Sequence, residues 1–144
     1  VNGTNDHFYP LDSAQKSYRL TKGPRTLSIK VRMPHSHPPA GDPPEITAFA
    51  DHILRDKEPL LSVTEVGRKG NRVSCNFKGQ AMKAELVFTE DTGIWEKRVW
   101  KTAAADVHKS KVSAVLPAAA KVWYLNLSDG RGLTVSTTHE ELED

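Results

Sequence analysis

The fold of this chain is most visible in the stretch Val122-Trp123-Tyr124-Leu125-Asn126-Leu127-Ser128-Asp129-Gly130-Arg131-Gly132-Leu133-Thr134-Val135-Ser136. Two apolar runs of strand length flank a segment in which Asp and Gly favour a turn. Similar short runs recur through the second half of the chain, at residues 61–66, 72–77, 82–89, 95–100, 111–116, 122–127 and 133–138. Short strands at this spacing predict an Ig- or fibronectin-like β-sandwich over residues 60–144.

The first part of the chain has a different periodicity. Leu11, Ala14 and Tyr18 recur at helical spacing, which predicts a short surface helix. The run from Leu27 to Met33 then alternates apolar and polar residues, as a strand with one buried face does. Pro34 ends this strand because proline cannot donate to a ladder.

A second helix is predicted from residue 45 onward. Asp42 is a candidate capping residue, and Glu45 stands three positions later, as in a capping box. The helix carries an apolar stripe formed by Ile46, Phe49, Ala50, Ile53 and Leu54. Such a stripe needs a sheet or core to pack on, and residues 1–57 supply only one or two strands. We therefore expect residues 1–57 to belong to a larger fold, with a domain boundary near residues 57–59.

Composition excludes several functional classes. The 144 residues carry a formal net charge of +2 with no concentrated basic patch, which argues against nucleic-acid binding. No apolar run approaches the roughly 20 residues of a membrane helix, and no signal peptide is visible. The single cysteine, Cys75, lies in an alternating run and is predicted to be an inward-facing core thiol.

Asp6 and His37 are the candidate catalytic residues. Asp6 ends the run Asn2-Gly3-Thr4-Asn5-Asp6, and His37 ends Met33-Pro34-His35-Ser36-His37. In a serine-type triad, the acid orients the imidazole and the imidazole takes the proton of the nucleophile. The order acid, then histidine, after strand ends is the order found in α/β-hydrolases, where the serine comes first.

Three segments carry a resemblance to a known family. They are residues 2–13, the turn at residues 33–39, and Pro44-Glu45-Ile46-Thr47-Ala48-Phe49-Ala50-Asp51. They resemble the C-terminal part of bacterial acetyl-xylan-esterase-like α/β-hydrolases, relatives of dienelactone hydrolase and of prolyl-oligopeptidase-type enzymes. Residues 122–136 resemble the β-rich domain that some members append. The resemblance implies an α+β chain in which a partial α/β-hydrolase segment, residues 1–57, precedes the sandwich of residues 60–144.

The resemblance also implies a function that this sequence does not complete. The family uses a serine within G-x-S-x-G, and that motif does not occur in these 144 residues. We therefore expect the nucleophile in a missing N-terminal part of the hydrolase domain, and no esterase activity from this chain alone. Related hydrolases place the catalytic imidazole after a small residue, which favours His37 over the alternative His35. The expected substrate is a carbohydrate ester or another small ester, without a cofactor, in an exported bacterial protein.

Two other functions compete with the hydrolase interpretation. His35 and His37, two positions apart, could join Asp6 or Asp42 around zinc, although the neighbouring prolines bend this loop and no third His or Cys follows at ligand spacing. The second alternative is a non-catalytic binding or assembly module. Aromatic side chains on an exposed sandwich face would let it bind carbohydrate, whereas the same residues in a core would fill the sandwich. These residues are Trp95, Trp100, Trp123 and Tyr124.

Overall fold

The computed structural model of the chain describes residues 1–35 and 42–142. Strands account for 43% of the structure and helices for 18%. The helices are α1 (Leu11–Leu20) and α2 (Pro44–Arg55). The strands are β1 (Asn2–Asn5), β2 (Ile29–Pro34), β3 (Ser62–Lys69), β4 (Arg72–Lys78), β5 (Ala81–Thr89), β6 (Lys101–Ala104), β7 (Asp106–His108), β8 (Lys111–Val115), β9 (Val122–Asp129), β10 (Thr134–Ser136) and β11 (Glu140–Glu141).

Two antiparallel sheets form a sandwich over the second part of the chain. One sheet has the order β3-β4-β8-β7, and the other has the order β10-β9-β5-β6, with β11 also paired to β9. Alternation determines the inward face: on β4, Val73, Cys75 and Phe77 are buried between exposed or half-buried neighbours. They pack against Leu86 and Leu125 of the facing sheet. The prediction of a β-sandwich and of a buried Cys75 is confirmed.

The five-stranded sheet is covered on both faces. Every residue from Val122 to Leu127 on β9 is buried, which explains why this strand is almost continuously apolar in sequence. Trp123 points into the sandwich, whereas Tyr124 belongs to a second cluster on the outer face. That outer cluster contains Leu11, Ile29, Val87, Trp100, Val122 and Tyr124.

The expected partial α/β-hydrolase segment is wrong. The described residues are mostly β and form three sheets, of which the third is only the parallel pair β1–β2. The physical reason is the outer cluster: Leu11 of α1 and Ile29 of β2 are 2% and 5% exposed because they pack on the outer face of the five-stranded sheet. The first segment thus forms a layer on the sandwich and not part of a wide parallel sheet.

Both predicted helices are confirmed, but α2 packs differently from the expectation. Its apolar stripe is largely exposed, with Ile46 at 50%, Ile53 at 52% and Leu54 at 80%. Glu45 is the buried residue of α2 instead. Pro43 occupies the N-cap position without a side-chain hydrogen bond, so the predicted Asp42 capping box is wrong as well. No described helix is long and apolar enough to cross a membrane.

The predicted strand at residues 95–100 is also wrong. Trp95–Lys97 forms a single 3-10 turn, and the strand β6 begins only at Lys101. The carbonyl groups of Glu96 and Arg98 accept hydrogen bonds from the Asn5 side chain, at 2.8 and 3.1 Å. This distant side chain takes the place of a neighbouring strand as the partner of the backbone.

Candidate functional site

Asp6 lies in a tight turn directly after β1. It is 5% exposed, and its Oδ1 accepts hydrogen bonds from the backbone N–H groups of Phe8 at 2.9 Å and Tyr9 at 2.8 Å. Asp is suited to this position because its short side chain reaches the backbone two and three residues ahead. The turn therefore fixes the carboxylate and leaves Oδ2 for another partner.

That partner is His35, which follows β2. His35 Nδ1 lies 3.0 Å from Asp6 Oδ2, and the His35 side chain is 36% exposed. The two residues meet because β1 and β2 run parallel, so that their carboxyl ends share one edge of the sheet. With the carboxylate at Nδ1, the imidazole carries its proton there and presents Nε2 as an acceptor. Nε2 has no hydrogen-bond partner among the described residues.

The pKa of Asp6 is lowered below its ordinary value. Burial on its own raises the pKa, but the N–H of Tyr9, the His35 imidazole and the N–H of Phe8 together outweigh it. The carboxylate is consequently ionised at neutral pH. An ionised acid beside Nδ1 stabilises a positive charge on the imidazole, which is the role of the acid in a catalytic pair.

Aromatic rings surround the imidazole. The centroid of the His35 ring lies 5.8 Å from that of His7, 4.8 Å from that of Phe8 and 5.9 Å from that of Tyr9. Phe8 and Tyr9 are 66% and 60% exposed. Phe8 and Tyr9 therefore place aromatic surface beside the exposed side of the Asp6–His35 pair.

A groove of about 550 Å³ begins at Asp6 and His35 and follows α1 and β2. This volume lies within the range of small-molecule sites, roughly 300–1,000 Å³. The apolar side chains of Leu11, Ala14, Ile29 and Met33 line part of the groove, and polar residues line the rest. The groove thus offers room for the apolar part of a ligand next to the imidazole.

The structure describes the positions of only some of the predicted site residues. It brings Asp6 together with His35, the alternative histidine, whereas His37 lies outside the described residues and stays a prediction. Sequence reasoning missed the exposed aromatic pair Phe8 and Tyr9, although their positions two and three residues after Asp6 were a visible signal. It also missed Thr4 and Arg32, whose hydrogen bond gives no signal in the sequence pattern.

The aromatic residues that were candidates for carbohydrate binding do not form an exposed platform. Trp100, Trp123 and Tyr124 are each 0% exposed. Trp95 is half-buried, and the Arg98 guanidinium lies 3.7 Å from the centroid of its ring. Trp100, Trp123 and Tyr124 fill the sandwich and its outer cluster, so these three rings are not available to stack on a sugar.

Within residues 1–35 and 42–142, no group of three or more His, Cys, Asp or Glu side chains is placed to hold a metal ion. The zinc alternative also involved His37, which is not among those residues. In the same part of the chain, no serine hydroxyl forms a hydrogen bond with His35. The arrangement can therefore move a proton at Nε2, but its described residues supply no nucleophile.

Comparison with known proteins assigns no family. No family model matches the chain. No curated protein matches it significantly.

Proposed function

We propose that Asp6 and His35 are the acid and the base of a serine-type hydrolase that acts on a small carboxylic ester. The observation that carries this proposal is the 3.0 Å contact between Asp6 Oδ2 and His35 Nδ1, on a carboxylate already held by two backbone N–H groups. A buried, ionised acid at Nδ1 with an accessible imidazole is the arrangement that general base catalysis requires. The groove beside the pair supports a small organic substrate.

In the proposed reaction, Nε2 of His35 takes the proton of a serine hydroxyl as its oxygen attacks the ester carbonyl carbon. Asp6 stabilises the resulting imidazolium through Nδ1–H. The imidazolium then gives the proton to the leaving alcohol oxygen as the ester bond breaks, which leaves an acyl-serine. Nε2 then takes a proton from water, whose oxygen attacks the acyl carbon. The imidazolium returns this proton to the serine oxygen as the acyl–serine bond breaks and the carboxylic acid leaves. In this proposal the serine comes from polypeptide outside these 144 residues, because no serine hydroxyl among the described residues forms a hydrogen bond with His35.

The experiment compares three variants in the protein as its gene encodes it, with 4-nitrophenyl acetate as the substrate. We expect His35→Ala and Asp6→Asn to lower kcat about 10²–10⁴-fold, the usual contribution of a general base. His37→Ala is the matched control, two positions away, and should keep kcat within about threefold. A serine-directed fluorophosphonate followed by mass spectrometry identifies the nucleophile.

Three results would contradict the proposal. The first is unchanged turnover in both His35→Ala and Asp6→Asn. The second is loss of activity in His37→Ala with retention in His35→Ala, which would return the role of the base to His37. The third is serine-dependent turnover by the purified 144-residue chain, since the proposed nucleophile lies elsewhere.

A further inference from the structure

The strands that carry Asp6 and His35 change register just before they reach these residues. Asn2 pairs with Ile29 and Gly3 with Lys30, so that the partners are 27 positions apart. Asn5 pairs with Pro34, which is 29 positions away. Over this step β2 carries two residues more than β1, one more than an ordinary β-bulge inserts, and we call this irregularity the bulge.

This change of register decides which residue faces Asp6. At the spacing of 27 that holds at the start of the strands, the partner of Asp6 is Met33. At the spacing of 29 that holds at Asn5 and Pro34, the position opposite Asp6 is that of His35, and the side chains of these two residues are in contact. Without the bulge, a thioether would lie beside the carboxylate in place of an imidazole.

The bulge is held by an unusual backbone conformation at Arg32. Its φ of +60° lies in the left-handed region, which is unfavourable for a residue other than glycine. The Arg32 N–H donates to Thr4 Oγ1 at 2.7 Å, and the Thr4 hydroxyl donates to Asn5 Oδ1 at 2.8 Å. Thr4 is 0% exposed, so its hydroxyl provides the partner that a ladder carbonyl would otherwise provide.

We propose that Thr4 and Arg32 are positioning residues, which hold the bulge that places His35 rather than Met33 against Asp6. The Thr4 hydroxyl acts as the acceptor for the Arg32 N–H, and the left-handed backbone at Arg32 takes up the extra length of β2. The catalytic purpose of this arrangement rests on the proposed function. The proposal that Thr4 and Arg32 hold the register does not rest on the proposed function, and it is tested separately.

The test measures the hydrogen bond of the His35 imidazole by NMR on the ¹⁵N-labelled 144-residue chain. In the unaltered protein, we expect a deshielded Nδ1–H proton and the ¹⁵N shifts of the Nδ1–H tautomer. The resonance is assigned to His35 by its loss in Asp6→Asn. This signal reports the contact between His35 and Asp6 directly. If Thr4 and Arg32 only stabilised the fold, substituting them would lower the free energy of unfolding, but the folded protein would keep the signal.

Two pairs of variants distinguish the effect of the backbone conformation at Arg32 from the effect of the hydroxyl group of Thr4. Arg32→Gly tolerates a positive φ and should keep the signal, whereas Arg32→Ile disfavours that φ and should lose it. Thr4→Ser keeps the hydroxyl and the signal, and Thr4→Val loses both. Thr64→Val, on an exposed position of β3, is the control and should change nothing.

Retention of the signal in Arg32→Ile or in Thr4→Val would overturn the proposal. Its loss in Arg32→Gly would also overturn it, because the guanidinium rather than the backbone would then be responsible. If one variant fails to fold, the other pair decides. A protein that keeps the signal and lacks esterase activity would contradict the proposed function and leave the positioning role intact.

Discussion

The carbonyl oxygen of Met33 lies 1.9 Å from the position that a β-carbon on Gly3 would occupy. The bulged part of β2 thus passes directly over β1, and only glycine leaves space for it. Because the neighbouring atom belongs to the backbone, a side-chain rotation is unable to relieve the clash.

We therefore predict that Gly3→Ala lowers the free energy of unfolding by about 1–3 kcal/mol, as overpacking does. It should also separate β1 from β2 and abolish the Nδ1–H signal of His35. Gly67→Ala is the control, since a β-carbon on Gly67 meets no atom within 4 Å and should cost far less. Urea denaturation of both variants measures the difference, and equal stability of the two would contradict the close approach.

The sandwich could be predicted from the sequence because its signals are local. On β4 the alternation of Val73, Cys75 and Phe77 identifies the inward face, and the turn at residues 128–132 separates β9 from the following strand. The helices α1 and α2 follow from their spacing in the same way. Local patterns of this type do not depend on which distant element lies nearby.

The features that escaped prediction depend on distant partners. The segment at residues 95–100 reads as a strand, but its carbonyl groups bind the side chain of Asn5, more than 90 positions away. The contact of Asp6 with His35 follows a change of register between β1 and β2, and the Arg32 N–H that donates to Thr4 at this point is hidden by the regular alternation of β2. The exposure of the apolar stripe of α2 was likewise not predictable, because an amphipathic sequence pattern does not show which element, if any, the helix packs against.

Acid pH should destabilise the fold through His139. Burial lowers the pKa of this histidine to about 4 from an ordinary 6.5, with Asp12 raising it and Arg19 and Arg98 lowering it. The folded state therefore favours the neutral imidazole, and the unfolded state takes up a proton first as the pH falls. Stability is fully present above pH 6.5 and declines toward pH 4, with a loss of about 2 kcal/mol at pH 5.

Urea denaturation at pH 7 and at pH 5 measures this loss. In His139→Gln, which does not titrate, we expect the loss between the two pH values to shrink by about 2 kcal/mol. His108→Gln is the control, because His108 is exposed on β7. An unchanged pH dependence in His139→Gln would show that another group is responsible.

Glu45 should hold α2 on the rest of the molecule. It is 2% exposed, and its Oε1 accepts hydrogen bonds from Lys30 Nζ and, at 2.8 Å, from the Thr134 N–H. Burial raises its pKa, but these two donors outweigh burial and lower it. The contribution of the carboxylate is therefore present above an ordinary glutamate pKa of 4.5 and is lost as the pH falls below that value.

We predict that Glu45→Ala costs about 1–3 kcal/mol, because the substitution leaves the partly buried Thr134 N–H and the Lys30 ammonium without their acceptor. Hydrogen exchange should increase selectively in α2. Asp12→Ala is the control, since the Lys16–Asp12 pair is long, at 3.9 Å, and Lys16 is 80% exposed. Exchange that rises uniformly over the chain, or not at all, would contradict an anchoring role for Glu45.

A substitution in the exposed apolar stripe of α2 tests whether this face of the helix is free in solution or is covered by another molecule. Leu54 is 80% exposed, so Leu54→Lys should change the free energy of unfolding by less than about 0.5 kcal/mol if the face is free. Leu86→Lys is the comparison, because Leu86 is 0% exposed in the sandwich core and a charge there is expected to unfold the chain. Thermal unfolding at two protein concentrations gives the result. A concentration-dependent midpoint that Leu54→Lys lowers would show that self-association buries this face, contrary to the exposure seen in the single chain.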